Sequence, residues 1–286
     1  MSNILSLQSH VAYGYVGNCV ATFVLQRMGH EVVKINTVQF SNHSGYGKIF
    51  GDVMSLEHID TIFTGLKELK VLDNIQGVLT GYMGDKALGG VLLKWLKYIK
   101  DNNPDVVYCC DPVIGDIGRG VFVKEGVGEF FRDNAAKFGD ILTPNHFELS
   151  YLMKEEVRTI EDAIKACNIL HRQGAKVVLV TSLLVDGISD DVIQMLVSGK
   201  QGVFVISTPK LPMPIPVNGA GDMTAALFLA SFLATKDVKI SLEQTAIKVF
   251  RIFEQTLLSG RRELAVIQGQ DHLLLNDIQF EAQQIL

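Results

Sequence analysis

NILSLQSHVAYGYVGNCVATFVLQRMGHEVVKINT, from Asn3 to Thr37, is the stretch whose reading decides the fold. Asn3–Gln8 is a short apolar run of strand type, Asn18–Met28 has helical spacing and is closed by Gly29, and Glu31–Thr37 is strand-like again. A strand, a helix and a second strand in close succession predict a parallel pair with a crossover helix. The alternation continues: Gly77–Thr80, Val106–Cys110, Asp140–Leu142 and Val177–Val180 read as further short, apolar strands. Between them Ser55–Leu69, behind a Ser55 cap, and Asp85–Lys100 place apolar residues at helical spacing. Thr159 with Asp162 opens a third such helix, running to Gly174, by a capping-box pattern with Asp in place of Glu. The expected class is α/β, a mostly parallel central sheet flanked by helices.

The period changes at Asp191–Ser207. Val192–Val197 and Val203–Ile206 flank a turn-like Ser198–Gly202, which predicts an antiparallel hairpin at one sheet edge. Pro212-Met213-Pro214-Ile215-Pro216 then lacks the N–H groups of a strand interior and reads as a stiff, extended connector. No internal repeat, low-complexity tract or long linker divides the chain, so 1–286 is expected to be a single domain.

Composition narrows the function. Hydrophobic residues are 48% of the 286 and charged ones 20%, enough for a large core and too little charge for disorder. A formal net charge of −5 argues against a nucleic-acid binder, which needs concentrated Lys and Arg. Cys19, Cys109, Cys110 and Cys167 form no C-x-x-C pair and are expected to be reduced and mostly buried. Met1–Gln8 lacks the form of a secretory signal, and the longest apolar helix candidate, Ala225–Ala234, is too short to span a bilayer. A cytoplasmic location without membrane partners is expected.

Chemistry concentrates at strand ends. Gly219-Ala220-Gly221-Asp222 precedes an apolar helix expected from Met223 through Leu233. Glycines at a helix mouth let amides approach an anion, and the helix dipole adds positive potential. A carboxylate beside a bound phosphate is repelled unless it has a task, such as taking a proton from an attacking hydroxyl. The same tetrapeptide also reads as a plain turn with Asp222 as helix cap. Cys110-Asp111-Pro112-Val113-Ile114-Gly115-Asp116 follows a strand and offers two carboxylates to hold Mg²⁺ on phosphates, or a turn cap and a solvated charge. Thr143-Pro144-Asn145-His146-Phe147-Glu148 follows another; Asn145 and Glu148 suit a hydrated cation and equally suit a capping box. The loops Ser9–Asn18 and Thr37–Tyr46, with Tyr82, are aromatic, polar and glycine-bearing, as a pocket for a flat heteroaromatic ring would be.

Six motifs occur in one order: SHVxxGYVGN at Ser9–Asn18, VQFSNHSGYG at Val38–Gly47, LTGY at Leu79–Tyr82, CDPVIGD at Cys110–Asp116, TPNHFE at Thr143–Glu148 and GAGD at Gly219–Asp222. This set, spanning about Ile4 to Phe232, resembles the pyridoxal kinases of the ribokinase-like superfamily. The resemblance implies transfer of the ATP γ-phosphoryl group to the 5′-hydroxymethyl of pyridoxal, pyridoxine or pyridoxamine. It implies Asp222 as general base and the backbone of Gly219, Ala220 and Gly221 as anion hole. Ser9, Ser44 and Tyr82 fall at the ring contacts, and Val38 and His43 at the pocket lining. Asp111, Asp116, Thr143, Asn145 and Glu148 fall at the nucleotide and cation positions: Asp116 and Glu148 for Mg²⁺, Asp111 and Thr143 for K⁺ or another monovalent ion. Thr181 and Ser182 resemble the nucleotide-contacting pair, and a homodimer is implied as well. Three departures stand out: Ala220 and Ser44 where relatives often carry Thr, and a poorly matched Ile117–Phe122, where the family closes a lid over ATP. Two rivals remain: a hydroxymethylpyrimidine kinase, alone or with both activities, and a non-catalytic B6-binding protein, against which Asp222 argues.

Overall fold

Alternation of side-chain direction along each strand sorts the core into two layers. Leu5, Leu7, Val78, Cys110, Leu142, Val178 and Val180 face one side of the sheet, while Ile4, Leu79, Cys109, Ile141, Val177 and Leu179 face the other. Both faces are apolar and both are covered, as a sheet of parallel strands requires. The structure, a computed structural model, describes residues 2–286.

In chain order the elements are β1 (Asn3–Val11), α1 (Asn18–Arg27), β2 (Glu31–Phe40), β3 (Gly51–Val53), α2 (Leu56–Glu68), β4 (Gly77–Thr80), α3 (Leu88–Asn102) and β5 (Val107–Cys110). A two-stranded flap, β6 (Gly115–Asp116) and β7 (Gly120–Val121), comes next, then α4 (Val127–Phe138), β8 (Ile141–Leu142), α5 (His146–Met153), α6 (Ile160–Gln173) and β9 (Val177–Leu183). The chain ends with β10 (Val192–Gly199), β11 (Gly202–Pro209), α7 (Ala220–Thr235), α8 (Val238–Ser259) and β12 (Gln283–Gln284). Ten strands form one sheet in the order β12-β11-β10-β9-β8-β5-β4-β1-β2-β3. Pairing is parallel from β9 to β2 and antiparallel at both edges, including the β10–β11 hairpin. Helices α2 to α6 cover one face; α1, α7 and α8 cover the other.

Two features of the chain explain why α7 lies deepest. From Met223 to Ala230 it is apolar all round but for Thr224, whose hydroxyl donates to the Ala220 carbonyl at 2.7 Å, and so must be buried on every side. Its packing between α1, α8 and the sheet supplies that environment. The capping predictions hold locally: Ser55 accepts the His58 amide at 3.1 Å, and Thr159 and Asp162 exchange the bonds of a capping box.

Boundaries shift where pairing decides them. β1 runs on to Val11 and β2 to Phe40, because their ladder continues through an irregularity between Gln8 and His10. Ser9 and Val38 therefore sit on strands, where the sequence suggested loops. α3 starts at Leu88, because Asp85 Oδ1 takes the Ala87 amide and folds the preceding residues into a turn. The hairpin turn shrinks to Lys200-Gln201, with Gly199 and Gly202 paired. α7 starts at Ala220, which draws Ala220, Gly221 and Asp222 into its first turn behind Gly219. All four cysteines are free, three of them buried. No helix among the described residues is long and apolar enough to cross a membrane.

β1 is the topological switch point: the chain leaves it for β2 on one side and returns to β4 on the other. In open α/β sheets the crevice beyond the carboxyl ends of the strands at such a point is where ligands bind.

Candidate active site

A cleft of ≈ 350 Å³ opens at that position. β1 contributes Ser9 and β2 contributes Val38; the loop after β2 adds His43 and Ser44, and the turn after β4 adds Tyr82. Tyr82 is held by its own carbonyl, which accepts from Thr37 Oγ1 at 2.7 Å. His43 Nδ1 accepts the Gly45 amide at 3.0 Å and so caps the short turn Ser44–Tyr46. Burial, then the charge of Arg119, lowers the pKa of this imidazole, which keeps it a neutral acceptor.

On the other side stand Asp111 after β5, Asp116 on β6, Thr143 and Asn145 after β8, Glu148 on α5 and Thr181 on β9. Ser182, the neighbour of Thr181, does not line this cleft. Glu148 is only 4% exposed and both its oxygens are engaged. Oε1 accepts the Ile114 amide at 2.9 Å and, more loosely, that of Gly115 at 3.5 Å, while Oε2 accepts the Asn145 amide at 2.9 Å. Asn145 Oδ1 completes a capping box by accepting the Glu148 amide at 2.9 Å. The structural alternative read from TPNHFE is thus present, and it does more than cap: it ties the start of α5 to the loop that carries Asp116. Glu148→Ala would strand those buried amides. Unfolding in urea should show a loss of about 2 kcal/mol or more, since each buried donor left unpaired costs about 1–3 kcal/mol.

Gly219, Ala220, Gly221 and Asp222 form the near wall. Gly219 precedes α7 at φ 87°, the left-handed region, and a Cβ there would lie 1.9 Å from the Tyr15 carbonyl oxygen. Only glycine fits. The first helical bond runs from the Met223 amide to the Gly219 carbonyl, so the amides of Ala220, Gly221 and Asp222 lie ahead of the ladder, pointing positive ends toward the cleft. Asp222 Oδ2 accepts the Gly17 amide at 2.8 Å. Protein crowds the carboxyl group on all sides but the cleft, and this burial raises its pKa to about 6 against the opposing pull of the Gly17 amide.

Three carboxyl groups meet here, and each is harder to ionise than usual. Asp111 is raised well above the ordinary carboxylate range by burial first, then by the charges of Glu148 and Asp222. Glu148 is raised by burial, with its backbone donors opposing. Beside Asp111, Thr143 Oγ1 is buried and makes no hydrogen bond of regular geometry, yet it lies close enough to the Asp111 carboxyl to pull its pKa down against the burial. A wall so arranged gains free energy when a cation arrives.

The cleft also takes residues that the motifs did not single out. Asn42, Phe122, Asn218 and Arg119 line it. Asn218 was readable as the neighbour of Gly219. Arg119 lies in the flap segment whose sequence matched poorly, and its guanidinium rests on the Phe122 ring at 4.9 Å.

Pyridoxal kinase PdxY of Rubrobacter xylanophilus is 43% identical over 284 residues, 99% of this chain and 97% of that protein. PdxY of Granulibacter bethesdensis is 43% identical over 285 residues, 98% of this chain and 99% of that one. The chain belongs to the pyridoxal kinase family. The profile described as phosphomethylpyrimidine kinase matches residues 54–264, within which lie Tyr82, the acidic wall and the α7 mouth. The pyridoxal kinases extend the likeness to the first two strand ends, which hold Ser9, Val38, His43 and Ser44. Among solved structures, the pyridoxal kinase of Leishmania donovani in complex with ADP and ginkgotoxin superposes with a TM-score of 0.92 at 33% identity, covering 100% of both chains. The same enzyme with ADP and pyridoxamine gives 0.91 at 33% identity over 99% of each.

Proposed function

We propose that this chain transfers the γ-phosphoryl group of ATP to the 5′-hydroxyl of pyridoxal, and of pyridoxine and pyridoxamine, in vitamin B6 salvage. One observation carries the mechanism: the Asp222 carboxylate lies at the mouth of α7, in the same cleft as the ring-side residues. From there it accepts the hydroxyl proton while the amides of Ala220 and Gly221 stabilise charge on the migrating group. Ser9, Ser44 and Tyr82 hold the vitamer's ring, with Val38 and His43 along its edge. Thr181, Asn145 and Asp116 face the nucleotide, and Ser182 serves it from outside the lined wall. Phosphoryl transfer asks mainly for alignment and charge neutralisation, and these groups supply both.

Mg²⁺ takes one or two carboxylates together with phosphate oxygens and water. Asp116, exposed to the cleft, fits direct contact; Glu148, occupied by amides, fits contact through water. Mg²⁺ would neutralise phosphate charge. Asp111 and the buried Thr143 Oγ1 beside it suit K⁺ or another monovalent ion. We further assign residues 1–286 to a single domain, acting as a cytoplasmic homodimer.

A hydroxymethylpyrimidine kinase is the second reading, favoured by the match of residues 54–264 to the phosphomethylpyrimidine kinase family. Incubation with magnesium-ATP and a panel of pyridoxal, pyridoxine, pyridoxamine and hydroxymethylpyrimidine, scored for ADP and 5′-phosphate, separates the two. Phosphorylated B6 vitamers are expected. ADP with the pyrimidine alcohol alone would reverse the substrate assignment, and no ADP with any acceptor would defeat the kinase reading.

A further inference from the structure

Behind the ring side of the cleft, and outside its lining, a buried carboxylate joins three parts of the chain. Glu263 follows α8 and is 5% exposed. Its Oε2 accepts the Tyr15 amide at 2.9 Å, from the loop after β1, and its Oε1 accepts the Tyr46 hydroxyl at 2.7 Å, from the loop after β2. The adjacent Arg262 lays its guanidinium 3.8 Å from the centre of the Tyr46 ring and donates through Nη2 to the Gly45 carbonyl. Gly14 makes room: a Cβ there would lie 2.6 Å from Glu263 Oε2.

Both loops reach the cleft within a few residues of these bonds. Two residues past Tyr15, the Gly17 amide donates to Asp222. Two before Tyr46, Ser44 lines the cleft, as do His43 and Val16. Gly45 also abuts Asn218, whose side chain would lie 3.0 Å from a Cβ placed there. The β1–β2 pairing extends only to the Ala12 and Tyr13 amides, which donate to the Phe40 and Ser41 carbonyls, so beyond them the loops depend on other ties. The nucleotide wall is built from β5, β6, β8, α5 and β9, none of which carries a partner of Glu263.

We propose that Glu263, assisted by Arg262, is a positioning residue that clasps the two loops together and so preforms the vitamer half of the cleft without touching substrate. The assignment of that half to a vitamer rests on the kinase reading above. A carboxylate suits the task because it can take an amide N–H and a phenolic O–H at once, each bond being charge-assisted.

The test has two readouts. In the ligand-free protein, Glu263→Ala should speed amide hydrogen exchange at Tyr15 and Gly17, and Glu263→Gln should largely restore protection, since Gln Oε1 can accept the amide while Nε2 donates to the Tyr46 oxygen. Unchanged exchange in the alanine variant overturns the clasp, whatever substrate the cleft takes. In steady-state assays Glu263→Ala should raise KM for pyridoxal roughly tenfold and leave KM for ATP within about twofold, as expected when binding is lost on one side only. Tyr46→Phe, a smaller change that keeps the fold, should raise KM for pyridoxal less and add little on top of Glu263→Ala. KM values for both substrates rising together, or neither rising, overturns the positioning role. Wild-type protein that phosphorylates no vitamer would instead count against the kinase reading and leave the exchange result to judge the clasp.

Discussion

Asp222→Asn is expected to cut kcat by about 100-fold or more, the range for removing a positioned general base. Asparagine keeps the size and can still accept the Gly17 amide, which is 2.8 Å from Oδ2 in the native protein. Vitamer and nucleotide affinity should therefore change little, and kcat and kcat/KM should fall together, the pattern of an interaction made only in the transition state. Asp222 does not cap α7, whose N-cap is Gly219 and which has no side-chain cap bond, so a variant with unchanged kcat would leave Asp222 only as the acceptor that ties the Gly17 amide to the helix.

The same residue sets a pH dependence. A base must be ionised, so with its pKa raised to about 6 in the free protein, kcat/KM should decline as pH falls below about 6. Asp111 and Glu148 are raised as well, and His43 lies across the cleft, so the limb belongs to Asp222 only if it disappears in the residual activity of the asparagine variant. Stability runs the other way. Between the ordinary value of 3.8 and about 6 the folded protein holds a proton that the unfolded chain has released, so this group favours folding at low pH and that contribution is lost as pH rises through about 6. Asp222→Asn removes a group whose ionised form the fold disfavours. Its melting temperature should exceed wild type at pH 8 and match it near pH 3, a gain in stability beside a loss of activity, as a functional site predicts.

How far the sequence carried these conclusions depended on how local each signal was. β1, α1 and β2 could be read because their apolar periods follow from neighbours in the chain, and the site motifs because five lie within a few residues of a strand end and GAGD opens a helix. The extension of β1 through Ser9 to Val11 could not, since a ladder partner at Gln39 and Phe40 makes it. α8 gives no clear helical signal for a related reason: its apolar stripe is broken by Ser241, Glu243, Thr245, Lys248 and Thr256, all buried. Thr245 and Thr256 hide their hydroxyls on carbonyls one turn back, at 2.7 and 2.6 Å, which no hydropathy pattern reveals. TPNHFE admitted both a capping box and a cation site, and the fold shows why they cannot be told apart locally: the capping Glu148 also reaches the Ile114 amide, 34 residues earlier. Glu263 lay beyond reading altogether, because its two partners are 248 and 217 residues away.

The glycines of the α7 mouth give a pair of substitutions with opposite effects on stability. Gly219→Ala should lower kcat by about 100-fold or more, since misplacing amides aimed at developing charge costs about 10²–10³ in rate. The cause is backbone geometry: φ of 87° strains any L residue, and the new methyl would sit 1.9 Å from the Tyr15 carbonyl oxygen, forcing α7 and the Tyr15 loop apart. Urea unfolding should register a loss of about 2 kcal/mol or more from strain and clash together. Gly221 differs in both respects. It has no positive φ, and its nearest neighbour within 4 Å of an added Cβ is Asp111 Oδ2 at 3.9 Å. Gly221→Ala therefore fits the free protein and should leave it as stable as wild type or steadier by about 0.4–1 kcal/mol, the usual gain from a helix-compatible Gly→Ala change. Its methyl nevertheless projects into the space between Asp111 and the helix mouth, so KM for ATP should rise and kcat should fall. If Gly221→Ala is stable and fully active while Gly219→Ala is merely unstable, the first turn of α7 does not hold the phosphoryl group, and the glycines serve only to let the Tyr15 loop pack against the helix.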